Sequence, residues 1–232
     1  MKNVQFVQLE PRSTPWAMYR AMVGLGLLCA VVIVSVFQYT APLIQQNKRE
    51  LLEQSIYQLF PAARRIVQFN YDTSSQTEAL FKLQASISDA GEIFACYDLQ
   101  RKLMGFVVKS QGMGYQDRIV LIYAYLPESQ LVTGFKVLES RETPGLGTRT
   151  ESDPAFLRNF SALDVTLSNS QNELQHPIEI VKPGLKQHPW QIDSISGATI
   201  SSRAIGNIMQ QSTAYWIPQL KRHIESFRHA TE

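Results

Sequence analysis

From Ala21 to Phe37 the sequence AMVGLGLLCAVVIVSVF carries no charge, and Tyr39, Ala41, Leu43 and Ile44 extend the apolar stretch to about 20 residues. That length crosses a bilayer as a helix. It is long for a signal-peptide core, and no small-x-small cleavage pattern follows it, so the expectation is a retained membrane helix. The reading divides the chain into a cytoplasmic segment 1–20, a transmembrane helix 21–44, a stalk helix and linker 45–78, and a soluble domain 79–232. Trp16, Tyr19 and Tyr39 lie near the ends of the run, where aromatic side chains settle at the membrane surface. Lys2, Arg12 and Arg20 precede the run while Lys48 and Arg49 follow it, a lean toward an N-terminus inside. That lean puts the body outside the cytoplasm, on the periplasmic side of a bacterial inner membrane.

The body reads as a folded domain. Of the 232 residues 44% are hydrophobic, and the net charge of +2 comes from 22 basic and 20 acidic residues that are scattered, not clustered. This excludes the electrostatic footprint of a nucleic-acid binder. Cys29 and Cys96 have neither a zinc, iron–sulfur nor redox CxxC spacing and read as buried hydrophobes. Electron transfer by this chain would therefore need a borrowed cofactor.

Pro42 to Phe60 reads as a helix with an apolar stripe of Leu43, Ile44, Leu51, Leu52, Ile56 and Leu59, stopped by Pro61, and the polar stretch Tyr71 to Glu78 as a loop. Strand signals follow at Glu92–Asp98, Met104–Ser110, Arg118–Tyr125 and Leu131–Leu138, spaced as an antiparallel meander. A short helix starts at Ser152 or Asp153 with Phe156, Leu157 and Phe160 inward. Further strands are expected at Ile178–Val181 and Gln191–Ile195. The last helix, about Ser201 to Phe227, should bury Ala204, Ile208, Met209, Ala214, Tyr215, Ile217 and Leu220, with a kink at Pro218. The fold class is α+β, an antiparallel sheet with flanking helices behind one membrane helix.

Chemistry concentrates in two segments. In Asp193-Ser194-Ile195-Ser196-Gly197-Ala198-Thr199 a threonine hydroxyl is flanked by the smallest residues available, ahead of a helix that Ser201 or Ser202 could cap. A helix start favours an anion, so the segment suits a bound phosphate; a serine-rich helix cap with no ligand is the commoner origin of such a pattern. The second segment, Glu139 to Gly147, contains Glu142-Thr143-Pro144-Gly145-Leu146-Gly147, a tight loop suited to a flat ligand against backbone or to a plain hairpin turn. Gly112-Met113-Gly114-Tyr115 forms another glycine-rich turn. The four histidines show no paired ligand spacing and read as solvated, and no phosphate loop or dinucleotide fingerprint is present. Ser196 or Thr199 as a hydrolytic nucleophile lacks a nearby base.

ETPGLG at Glu142–Gly147 and SGAT at Ser196–Thr199, in that order, about 50 residues apart and behind one membrane helix, resemble the FMN-binding domain family. Within it the chain is similar to G subunits of Rnf (Rsx) electron transport complexes and to C subunits of sodium-translocating NADH:quinone reductases. The resemblance implies FMN joined through its phosphate to the hydroxyl of Thr199 by a separate flavin transferase, with Ser196, Gly197, Ala198 and Ser201 around the attachment point. It also implies that Glu142, Thr143, Gly145, Leu146 and Gly147 border the flavin, with Gly112 and Tyr115 close. Asp193 matches the acidic residue that opens the family's pattern, whereas Ser140 and Arg141 stand where the family often shows other polar residues. The implied role is an electron carrier without a substrate of its own, relaying electrons between flavin and iron–sulfur subunits during ion-coupled transfer. The rival readings are the quinone reductase subunit and a flavin-free, membrane-anchored assembly module.

Overall fold

The computed structural model describes residues 15–72, 80–84 and 92–229. Helix α1 runs without interruption over Pro15–Leu59, with Pro42 inside it. Its uncharged portion, of mean hydropathy 2.4, is not buried in the protein, as a membrane-spanning segment requires. The chain divides into two compact units, one through Asn47 and one from Lys48 onward.

In the second unit the sheet has the order β2-β1-β3-β4-β5-β6-β7, with β1 at Arg65–Asp72, β2 at Leu80–Gln84 and β3 at Ile93–Tyr97. It continues with β4 at Leu103–Met113, β5 at Arg118–Leu126, β6 at Leu131–Glu139 and the short β7 at Leu163–Asp164. All its pairings are antiparallel, and β3 to β6 form the expected meander. Side chains alternate between faces along a strand, and here both faces are covered. Ile93, Ala95, Phe106, Val108, Leu121 and Tyr123 join one core, whereas Phe94, Cys96, Val107, Ile122 and Ala124 join a second with Leu52, Ile56 and Phe60. This double burial explains why β3 and β5 read as nearly unbroken apolar runs.

The folded body therefore begins before residue 79. The end of α1 is no free stalk, because Leu52 and Ile56 are fully buried against the sheet, and β1 pairs with β3 inside it. Leu43, Ile44 and Leu51, expected in the same apolar stripe, remain exposed. Tyr71 and Asp72 belong to β1 and not to a loop; the remainder of that expected loop lies outside the described residues.

The first core is closed by α4, Thr199–Arg222, through Ile205, Ile208, Met209, Trp216, Ile217 and Leu220. Ala214 and Tyr215 face outward, contrary to the expected stripe, and the helix continues past Pro218 before α5 at Ile224–His229. Asp153 accepts hydrogen bonds from Ala155 and Phe156, capping α3 (Pro154–Leu157), which follows α2 (Arg149–Ser152). Phe156 and the following Phe160 are buried. Strands β8 (Glu179–Val181) and β9 (Gln191–Asp193) pair in parallel. His176 and His188 are not simply solvated: their rings stack on Trp190 at 3.9 and 4.4 Å.

Burial pushes the Cys96 thiol and the Tyr97 hydroxyl up to about 12, and it raises Tyr123 and Tyr125 further. A raised folded-state value keeps the proton on the folded chain after the unfolded chain has lost it. Stability is thus complete below about pH 9 and falls as pH rises toward 12, by about 1.4 kcal/mol per pH unit for each such group. Urea unfolding should show a stability plateau near about pH 8 and a marked decline by about pH 11. A flat profile across that interval would contradict the burial of these groups.

Candidate functional site

Strand β6 delivers the chain into the loop Ser140–Thr148, and the Glu142 carboxylate turns inward from it, only 5% exposed. Oε1 accepts the backbone N–H of Tyr115 at 2.7 Å and of Gln116 at 3.4 Å, and Oε2 accepts the Ser201 hydroxyl. One side chain thus joins the β4–β5 turn, the loop after β6 and the first turn of α4. Such hydrogen bonds to an ionised acceptor are roughly twice as strong as neutral ones. Their tightness explains two glycines. A Cβ at Gly114 would collide with Glu142 Oε1, and one at Gly147 would come within 2.6 Å of the Glu142 Cβ and 2.8 Å of the Ser201 hydroxyl.

The second segment leaves β9 at Asp193, whose backbone N–H donates to Asn159 Oδ1 and whose Oδ1 accepts the Lys186 N–H at 3.1 Å. Asp193 is therefore an anchor for the segment. The Ser194 hydroxyl donates to Val181 at 2.8 Å, and Gly197 takes φ of +83°, a conformation that a side chain makes costly. Ala198 is the residue before α4, and no side chain caps the helix. The expected capping by Ser201 or Ser202 is replaced by other bonds. Ser201 serves Glu142, while the Ser202 hydroxyl donates to the Ala198 carbonyl at 2.7 Å and accepts the Ile195 N–H at 3.1 Å. Thr199, half-buried in the first helical turn, has its hydroxyl 3.4 Å from the Ile195 carbonyl.

The two segments meet across a cavity of about 330 Å³. Tyr115, Glu142, Thr143, Leu146 and Gly147 line one side, and Gly197, Ala198, Thr199, Ile200 and Ser201 the other. Tyr115, Leu146 and Ile200 are each more than half exposed at its edge. Three residues expected at the site fall elsewhere. Gly112 lies under α4, where a Cβ would meet Ile208 at 2.5 Å; Gly145, at φ of +75°, shapes the loop without lining the cavity; Ser196 lines a smaller cavity of about 220 Å³ with Arg149. Ile200, Arg149 and Asn159 were not anticipated. Arg149 donates to the Ser196 carbonyl and to Asp153, each at 3.0 Å. The Phe156 backbone N–H, followed by those of Ala155 and the Arg149 guanidinium, holds the Asp153 carboxyl below its ordinary value. A larger groove of about 440 Å³ lies beside Lys109, Arg118, Glu139 and Tyr215, and neither Glu142–Gly147 nor Asp193–Thr199 lines it.

The cavity between the two segments, with its threonine hydroxyl and uncapped helix start, has the features of a phosphate-bearing ligand site. Residues 114–214 match the model of the FMN-binding domain family. It is similar to the G subunit of the ion-translocating oxidoreductase complex of Methanosarcina acetivorans, 24% identical over 84% of this chain and 90% of that protein. The G subunit of the same complex in Shewanella piezotolerans is 26% identical over 82% of this chain and 84% of its own length. The crystal structure of the C subunit of Na(+)-translocating NADH-quinone reductase from Parabacteroides distasonis shares the fold, with a TM-score of 0.52, 15% identity, and coverage of 81% of this chain and 94% of that one.

Replacing Glu142 with Ala would leave the backbone N–H groups of Tyr115 and Gln116 and the buried Ser201 hydroxyl without this acceptor. We expect Glu142→Ala to lower unfolding stability by about 2–4 kcal/mol in urea titrations. A loss below about 0.5 kcal/mol, the range of an ordinary surface change, would contradict its role as a clamp.

Proposed function

We propose that this protein is a membrane-anchored flavoprotein of an Rnf-type electron transport complex, carrying FMN in a phosphoester to Thr199. The observation that carries the proposal is the placement of the Thr199 hydroxyl on the same cavity as the Glu142–Gly147 loop. The volume, about 330 Å³, falls at the lower end of the range for small-ligand sites and is open along one side, as suits a group held covalently and partly exposed. Similarity to the G subunits of ion-translocating oxidoreductase complexes, over most of both chains, supports the assignment to such a complex.

In this reading Thr199 holds the phosphate at the start of α4, where the helix dipole favours negative charge. Tyr115, Leu146 and Ile200 present apolar surface to the ring, and Glu142 fixes the loop without spending its own carboxylate on the ligand. The bound flavin supplies exchange of one or two electrons, linking partners of different electron count. Attachment needs a donor with a leaving group on phosphorus, such as a flavin dinucleotide. The Thr199 oxygen forms a new bond to the flavin-side phosphorus, the pyrophosphate bond breaks, and a nucleoside monophosphate and the hydroxyl proton depart. A separate flavin transferase performs this step, and flavin and iron–sulfur subunits are the electron partners. The helix in Pro15–Leu59 anchors the chain in a bacterial inner membrane with the body on the periplasmic side.

Membership of a sodium-translocating quinone reductase, as its C subunit, is the second reading, supported by the shared fold. Both differ from a flavin-free assembly module, which would be colourless after production with a competent transferase. Thr199→Ala should abolish flavin fluorescence in denaturing gels while leaving the melting midpoint nearly unchanged; persistent fluorescence refutes the attachment site. A reporter fused after Glu232 should be active only outside the cytoplasm, and cytoplasmic activity would reverse the orientation.

A further inference from the structure

The turn that presents Thr199 contains a peptide with two accessible orientations. Gly197 sits at φ of +83°, but glycine populates positive and negative φ about equally, so rotating the Ser196–Gly197 peptide plane by half a turn costs it little. Glycine at the third position of the Ile195–Ala198 turn permits the observed state without requiring it. Space does not select it either, because a Cβ at Gly197 would meet nothing nearer than Arg149 Nη1 at 4.0 Å. The turn is closed by the Ala198 N–H on the Ile195 carbonyl at 3.1 Å, a bond that either orientation of the central peptide can keep; among the described residues the donor that grips the peptide itself is Arg149 Nη1, 3.0 Å from the Ser196 carbonyl oxygen.

That donor is well anchored. Arg149 Nη2 bonds Asp153 Oδ2 at 3.0 Å, and Asp153 Oδ1 is fixed in turn by the Ala155 and Phe156 N–H groups at the start of α3. Phe156 is only 2% exposed, so this helix start is pinned to the core. Arg149 also opens α2 directly after the Glu142–Gly147 loop, so one guanidinium couples the two halves of the site. Two residues beyond the held peptide stands Thr199, and its position in the first turn of α4 follows from the path the chain takes through Gly197.

We propose that Arg149 is a positioning residue for flavin attachment: by holding the Ser196–Gly197 peptide in one orientation, it presents the Thr199 hydroxyl to the incoming phosphorus. It acts on the acceptor before the bond exchange described above and exchanges no atoms itself. The proposal rests on Thr199 as the attachment site.

Two readouts on the full-length protein in detergent test it. Initial rates of covalent flavin incorporation are measured with a flavin transferase and a flavin dinucleotide at varied acceptor concentration. Arg149→Met should lower kcat about tenfold or more with KM for the acceptor unchanged, since misplaced reacting groups lose rate and not encounter. Arg149→Lys should recover part of that loss, because one ammonium can reach the carbonyl but lacks the two-pronged grip. In a crystal structure of Arg149→Met, φ of Gly197 should change sign or the turn should split between two states. An unchanged kcat, a loss carried only by KM, or a Gly197 that keeps a single positive φ overturns the proposal. If the parent protein accepts no flavin, the attachment reading fails, while the Gly197 conformation still decides the role of Arg149.

Discussion

The buried carboxylate of Glu142 is the interaction on which the site depends. A loop after β6, a turn between β4 and β5, and a helix more than fifty residues downstream converge on its two oxygens. Partially burying an acid is costly unless hydrogen bonds replace water, and here backbone amides and a serine hydroxyl do so. Those bonds need close approach, which accounts for Gly114 and Gly147 on either side of the carboxylate. The cavity wall is thus held by the protein's own bonds, and Thr199 on the facing wall is set by a separate system, the chain from Asn159 and Asp193 through Ser194, Gly197 and Arg149.

The sheet explains why these walls hold still. Its central strands are covered on both faces, by α4 on one side and by the end of α1 on the other, so the loops that leave them start from a rigid base. Gly112 contributes here, allowing α4 to lie directly on β4, and not in the cavity. Lys48, where the folded unit begins, pairs with Glu139 at 2.7 Å, three residues before Glu142. The chain therefore enters the body at the end of the sheet that carries the site. The pair itself is about one-third exposed and adds little stability; what it records is where that helix segment lies.

Much of this was legible in the sequence because alternation, capping residues and short turns are local signals. The four meander strands, a helix start at Ser152 or Asp153 and the presence of β8 and β9, though not their pairing, come from such signals. The role of α1's end was not legible, since Leu52 and Ile56 have a spacing that serves a stalk and a packed helix equally well. At the site, the two motifs named the cavity walls but misassigned several tasks. Ser201 follows the pattern of a helix cap, yet its hydroxyl is taken by a carboxylate 59 positions away. Arg149 and Asn159 gave no signal at all, because each works through long-range bonds to backbone groups, and a charged residue at a helix start or an asparagine beside a turn is unremarkable in sequence. His176 and His188 read as solvated because stacking on Trp190 depends on how the loop folds back.

The proposed function makes one chemical claim: that a covalent flavin resides on a single oxygen atom at the start of α4. Trypsin would release that atom in the peptide Gln187–Arg203, which also contains Ser194, Ser196, Ser201 and Ser202 as competing hydroxyls. Tandem mass spectrometry of this peptide, from protein produced with a competent flavin transferase, is the most direct measurement. The account predicts an added mass equal to FMN less one water, carried by Thr199 alone. An unmodified peptide, or the same mass on any of the four serines, would contradict it.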